Sequence, residues 1–192
     1  LDKQIHLDLP EMSNIVPNTA AYWIWESPAM PIIENHTPYM SMLLGVAIKK
    51  LNRPNSIEFL FLKKDENYTE FIAQVKKIVA ENNMVSYDVG DYSSIFNIEK
   101  IPVDLLKWVK EKRFYHPGIM GNYDLSHVVS TCLPKAQFSN SNGKISHHEF
   151  LKAELLKAIA EERTVSNEAL LFLKNQLLKI ESLWNFLMEV KS

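Results

Sequence analysis

A single cysteine, Cys132, stands in a chain of 192 residues. No internal disulfide can form, and no CxxC dithiol exists. Dithiol exchange is excluded with it, because that chemistry needs a low-pKa thiolate and a second sulfur beside it. Glycine is scarce, at 5 residues, and neither Gly-x-Gly-x-x-Gly nor a Walker pattern occurs. No apolar run approaches the ~20 residues that span a bilayer, so membrane insertion is not expected. Basic residues are not in excess: Lys and Arg number 21 against 23 Asp and Glu, a net charge of −2. Such a balance gives nucleic acid no electrostatic reward. No signal-peptide pattern opens the chain, and Leu1 in first place suits a mature form or an excised piece. One cysteine fits a reducing compartment, yet a secretory or periplasmic one stays open. Two glycosylation-type sequons, at Asn35 and Asn67, carry little weight in a chain this rich in Asn, Ser and Thr.

What is present is ordinary for a globular protein: 46% apolar and 23% charged residues. Ile5, Leu7 and Leu9 alternate with polar neighbours and predict a short strand ending at Pro10. The aromatic run 20–25 predicts a strand. Thr37-Pro38 looks like an N-cap followed by proline at the first helical position, and predicts a helix to about Leu51. The run 57–62 reads as a central strand. Phe71, Ile72, Val75, Ile78 and Val79 repeat at helical spacing, with Lys76 and Lys77 opposite. A strand at 85–89 and a short helix or turn at 91–98 follow. Beyond Pro102, residues 103–109 predict a strand paired with 113–116. A helix with Pro102 at N1 and Leu105, Leu106, Trp108 and Val109 on one side is the rival reading. Residues 123–132 predict a helix.

Residues 135–144 form a polar linker. Ser146 and Glu149 have the spacing of a capping box, which predicts a helix from there to about Arg163. A second helix runs from Ser166 towards Val190. Its Leu170, Leu173, Leu177, Ile180, Trp184 and Leu187 repeat at 3-4-3-4-3 spacing, a coiled-coil type of seam. Such a face must pack on the rest of the chain or on another chain. Trp23, Trp25, Trp108 and Trp184 suit core packing better than a ligand platform.

The order around Val85 to Leu133, centred on Ile101-Pro102-Val103 and closing on His116-Pro117-Gly118, resembles the second half of a thioredoxin-like domain. The resemblance covers about residues 20–133. It implies an α/β fold, a thioredoxin-like mixed sheet flanked by helices, here followed by a C-terminal helical hairpin. The implied division is an N-terminal strand and loop at 1–19, the domain at 20–133, a linker at 134–145 and the hairpin at 146–192. In that family a cis-proline opens the strand that faces the active site, and Ile101-Pro102 is its counterpart. The backbone there can pair with an extended peptide. The loop Lys63-Lys64-Asp65-Glu66-Asn67-Tyr68 takes the place of the dithiol and offers no thiolate. A helix N-terminus beside a lysine pair can still hold an anion, although a solvated charged loop explains it as well. A shifted register places the pseudo-active site at Ser27-Pro28-Ala29-Met30, with no base to activate Ser27.

The candidate groove is therefore Ile101, Pro102, Lys63, Lys64 and Tyr68. The interaction helix is carried by Leu173, Leu177, Ile180, Trp184 and Leu187. No catalytic residue is assigned. His116, His127 and Cys132 could converge, but their spacing lacks the paired pattern of a zinc site, and His147-His148 diverge on a helix. No metal and no cofactor is expected. The function expected is that of a non-catalytic module, chaperone-like or part of a larger assembly. It resembles the redox-inactive domains of the protein disulfide isomerase group. A protein partner or homo-oligomer would engage it through the C-terminal helices. The alternative is a glutathione-transferase-like enzyme, in which the cis-proline would bind the glutathione backbone.

Overall fold

A computed structural model describes residues 6–7, 16–26, 41–96, 100–111, 114–138 and 145–191. Its centre is an open, mixed five-stranded sheet. β2 (Thr19–Glu26), β3 (Met42–Lys50) and β4 (Ile57–Phe61) form an antiparallel meander. α1 (Tyr68–Glu81) then crosses to β5 (Met84–Ser86), which lies parallel to β2. α2 (Tyr92–Ile95) leads to β6 (Val103–Asp104), parallel to β5, so the order is β4-β3-β2-β5-β6. α3 (Leu105–Lys110), α4 (Leu125–Cys132), α5 (His148–Ala160) and α6 (Asn167–Lys191) complete the chain. A two-stranded ribbon stands apart, β1 (His6–Leu7) against β7 (Phe114–Tyr115). No helix among the described residues is long and apolar enough to cross a membrane.

Period-two alternation along β2 sorts its side chains to two faces. Ala21 and Trp23 meet Phe71, Ile72, Val75 and Val79 of α1. Ala20, Tyr22 and Ile24 meet the helices of the other face, among them Leu173, Leu177, Ile180 and Leu183 of α6. α1 starts where Asn67 caps it, its side chain accepting from Thr69 N at 2.9 Å and Glu70 N at 3.4 Å. Asn67, a sequon residue, is thus spent as a cap.

Residues 42–50 are a strand, not the later part of the helix expected at 37–51. Met42-Leu43-Leu44-Gly45-Val46-Ala47-Ile48 has good helix formers, but a continuous apolar run cannot be told from a buried strand by periodicity. Pairing on both sides decides it. Gly45 marks the place: a Cβ there would meet the Phe61 ring at 2.7 Å and Leu60 O at 3.0 Å. Thr37 and Pro38 lie outside the described residues.

The Ile101–Pro102 peptide is trans, as no cis peptide occurs among the described residues. Pro102 is buried at the entrance to β6, an ordinary place for a residue that cannot donate to the ladder. The strand expected at 103–109 lasts two residues. Asp104 then caps α3, accepting from Leu106 N at 3.0 Å, and Leu105, Trp108 and Val109 are buried at helical spacing. The helical rival holds for 105–110 only, with Asp104 as the cap and Pro102 outside the helix, and Phe114-Tyr115 pairs with β1 instead of closing a hairpin. The capping box also fails to form. α5 begins at His148, one residue past the expected start, and its preceding residue His147 makes no side-chain cap bond.

The C-terminal helices form the expected hairpin, closed by a Schellman-type turn. Glu162 adopts φ +52°, Arg163 N donates to Ala158 O at 3.0 Å, and Glu162 N to Ile159 O at 3.3 Å. The Arg163 guanidinium grips Glu154 with both terminal nitrogens, at 2.6 and 3.1 Å. The seam does not face outwards. Leu173, Leu177, Ile180, Trp184 and Leu187 are buried in one core cluster with the sheet.

Candidate functional site

In an open α/β sheet, the place to expect a ligand is the crevice beyond the carboxyl ends of the strands. Here that crevice is a cleft of about 1430 Å³. Tyr22, Trp23 and Trp25 of β2 reach it, as do Tyr87, Asp88 and Gly90 following β5. α3 supplies Lys110, α4 and its cap supply Asp124 and Ser126, α5 supplies His148, and α6 supplies Phe172, Gln176 and Lys179.

The aromatic side is built by short-range geometry. Trp23 and Trp25 stack with ring centroids 6.3 Å apart. Two residues apart on a strand puts them on one face, with a register shift between Ile24 and Trp25. Trp25 Nε1–H donates to Val89 O at 3.2 Å, and Trp23 Nε1–H to Ser86 Oγ at 3.1 Å. Gly90, with φ +57°, lies under the Trp25 ring, where a Cβ would come within 2.6 Å. Glycine is therefore required twice over at this position.

The loop after β5 is strained and held by one carboxylate. Asp88 has φ +68°, costly for a residue with a Cβ. Asp104 accepts from Asp88 N at 2.9 Å and Val89 N at 3.3 Å, besides capping α3. Asp104→Ala is expected to lower stability by about 2–3 kcal/mol, since a cap and two loop bonds to a charged acceptor go together. Asp104→Asn should lose less, keeping two bonds at one oxygen while its amide opposes Val89 N–H. Urea unfolding of both variants checks this order; equal losses would refute it.

Several polar groups of the cleft make contacts within its walls. Tyr87 Oη–H donates to Tyr123 O, and burial raises the phenol's pKa, with Asp124, Asp104 and Asp88 adding to the rise. Asp124 caps α4 by accepting from Ser126 N at 3.1 Å. Lys179 donates to Ser126 Oγ at 2.9 Å and lies 5.9 Å from the Phe138 ring centre. Its pKa is lowered by burial, with Asp124 opposing. Lys110 lies 5.9 Å above the Tyr123 ring.

The groove residues read from the sequence do not come together. Ile101 and Pro102 line a pocket of about 100 Å³ with Pro17, Met84 and Val103. Those residues sit at the amino ends of β2, β5 and β6, opposite the large cleft. Lys63, Lys64 and Tyr68 lie past the end of edge strand β4. Lys63 and Lys64 are exposed, Lys64 pairs with Glu162 at 3.2 Å, and Tyr68 Oη accepts from Leu43 N at 2.8 Å. Ser27 and its neighbours lie outside the described residues. The imidazoles of His116 and His127 serve the backbone: His116 Nδ1 accepts from Gly118 N at 3.0 Å, and His127 Nε2–H donates to Ile119 O at 3.1 Å. Burial pushes the Cys132 thiol up to about 12. No group of three metal-ligating side chains occurs among the described residues.

Sequence reasoning missed the cleft because its parts are far apart in the chain. Tyr22, Asp88, Asp124, His148 and Lys179 share no spacing rule. The one local signal was Asp88-Val89-Gly90 directly after a strand, a turn composition at a carboxyl end. No protein-family model matches this chain, and no curated protein or solved structure matches it either.

Proposed function

We propose that this chain is a non-catalytic binding module whose large cleft receives a segment of polypeptide. The observation that carries the reading is the size and lining of that cleft. At about 1430 Å³ it exceeds the ~300–1,000 Å³ typical of drug-sized ligands. Stacked and tilted aromatic walls suit apolar side chains, and Lys110, Lys179 and Asp88 can meet backbone groups and charges. The polar side chains serve as caps, turn formers and ring partners, and the Cys132 thiol stays protonated near neutral pH. These features support binding over covalent chemistry. The thioredoxin resemblance contributes only its class, a mixed sheet flanked by helices. Pro102 is trans and a strand pair stands where an opening strand and helix were expected, so neither the groove at Pro102 nor glutathione binding gains support.

The test is a random peptide display library selected on the protein, with the best peptide titrated by calorimetry. Trp25→Leu is expected to weaken binding at least ten-fold, and Ile101→Glu, at the opposite end, to leave it unchanged. A titration with glutathione should show no saturable heat. Failure to select any peptide, or equal losses in the two variants, would overturn the reading.

A further inference from the structure

The first turn of α5 closes one wall of the cleft, and a polar contact ties it to the sheet. The Tyr22 hydroxyl and His148 Nδ1 lie 2.7 Å apart. Their ring centroids are 5.8 Å apart, tilted by 56°. Gln176 of α6 bonds the same phenol oxygen. The phenol oxygen can accept from the Gln176 amide while its own hydrogen is directed at His148. In that arrangement Nδ1 is the bare, accepting nitrogen of a neutral ring.

The surroundings of His148 weigh the charged form from several sides. It is the first residue of α5, where the partial positive charge of a helix start opposes a cation. Lys152 opposes it too, while Glu149 and Asp88 favour it. Lys152 is itself shared between Glu149 at 3.3 Å and Glu26 at 3.9 Å. Burial dominates, and the imidazole titrates below its ordinary range. A neutral ring therefore stabilises the closed arrangement fully above about pH 6.5, and that contribution is lost as pH falls through the lower folded-state value.

We propose that the Tyr22–His148 contact is an acid-released latch, in which protonation of Nδ1 ends its role as acceptor and frees the first turn of α5 from β2, opening the cleft. The latch rests on the reading of that cleft as the ligand site, which gives the opening a use. Amide hydrogen exchange across residues 146–153 tests it, at pH 7.5 and 5.5, corrected for intrinsic rates. Free carboxylates stay ionised at the lower pH. The unmodified protein should lose protection at least five-fold at pH 5.5. His148→Gln should show no pH step, and Tyr22→Phe should be weakly protected at both values. No step in the unmodified protein, or an equal step in His148→Gln, would overturn the latch. Peptide binding at pH 7.5 is read separately. Intact binding without an exchange step rejects the latch alone, whereas a step without peptide binding supports the latch and rejects only the peptide reading.

Discussion

Glu181→Ala is expected to destabilise the fold by about 3–5 kcal/mol, because it strands a buried ammonium. Lys49 lies on β3 with only 2% of its side chain exposed, and its Nζ meets Glu181 Oε2 at 2.5 Å. Its other partner is a neutral carbonyl, Lys50 O at 3.2 Å. The two partners are unequal. Glu181 is 14% exposed and also accepts from Asn52 N at 2.8 Å. Lys49→Met leaves a carboxylate that still has a donor and some water, so its cost should be clearly smaller. The double change Lys49→Met with Glu181→Leu should recover most of the loss, since apolar replacement of a buried pair is often neutral. Urea unfolding of the three variants decides the matter. A Glu181→Ala loss below that of Lys49→Met would show that the pair is not what holds α6 against β3.

Leu177→Ala should cost about 2–5 kcal/mol, the range for a fully buried leucine whose site cannot collapse. Leu173, Leu177 and Ile180 are each wholly buried against the sheet. Changing all three to glutamine should abolish cooperative folding, because total stability is only about 5–15 kcal/mol. Circular dichroism reads the fold and sedimentation reads the mass. A seam made for a second copy would instead give a folded monomer from a native oligomer. That outcome would refute the packing described here.

The sheet and its helices were legible where a pattern is local. The amphipathic 68–81 and the 3-4-3-4-3 seam state their own structure through periodicity, whereas the run 57–62 is a strand as expected but the edge strand β4, half-buried, and not a central one. Residues 42–50 were not legible as a strand, because their partners on either side, Thr19–Glu26 and Ile57–Phe61, decide a run that propensity leaves ambiguous. Asp104 shows the same limit at one residue. As part of Val103-Asp104-Leu105-Leu106 it fits an alternating strand or a helix cap equally, and the loop at Asp88 that also uses it lies sixteen positions away. The cleft was legible least. Tyr22 and His148 are separated by 126 residues, and nothing in either neighbourhood announces the other.

The sheet's middle strand, β2, is made well before α6, which covers one of its faces. A growing chain therefore completes all five strands before the leucines of Asn167–Lys191 exist to shield Ala20, Ile24 and Leu44. Contacts between such distant positions form slowly, and the bare face is a sticky intermediate during synthesis. Translation pausing or truncation ahead of residue 167 should yield insoluble or chaperone-held product.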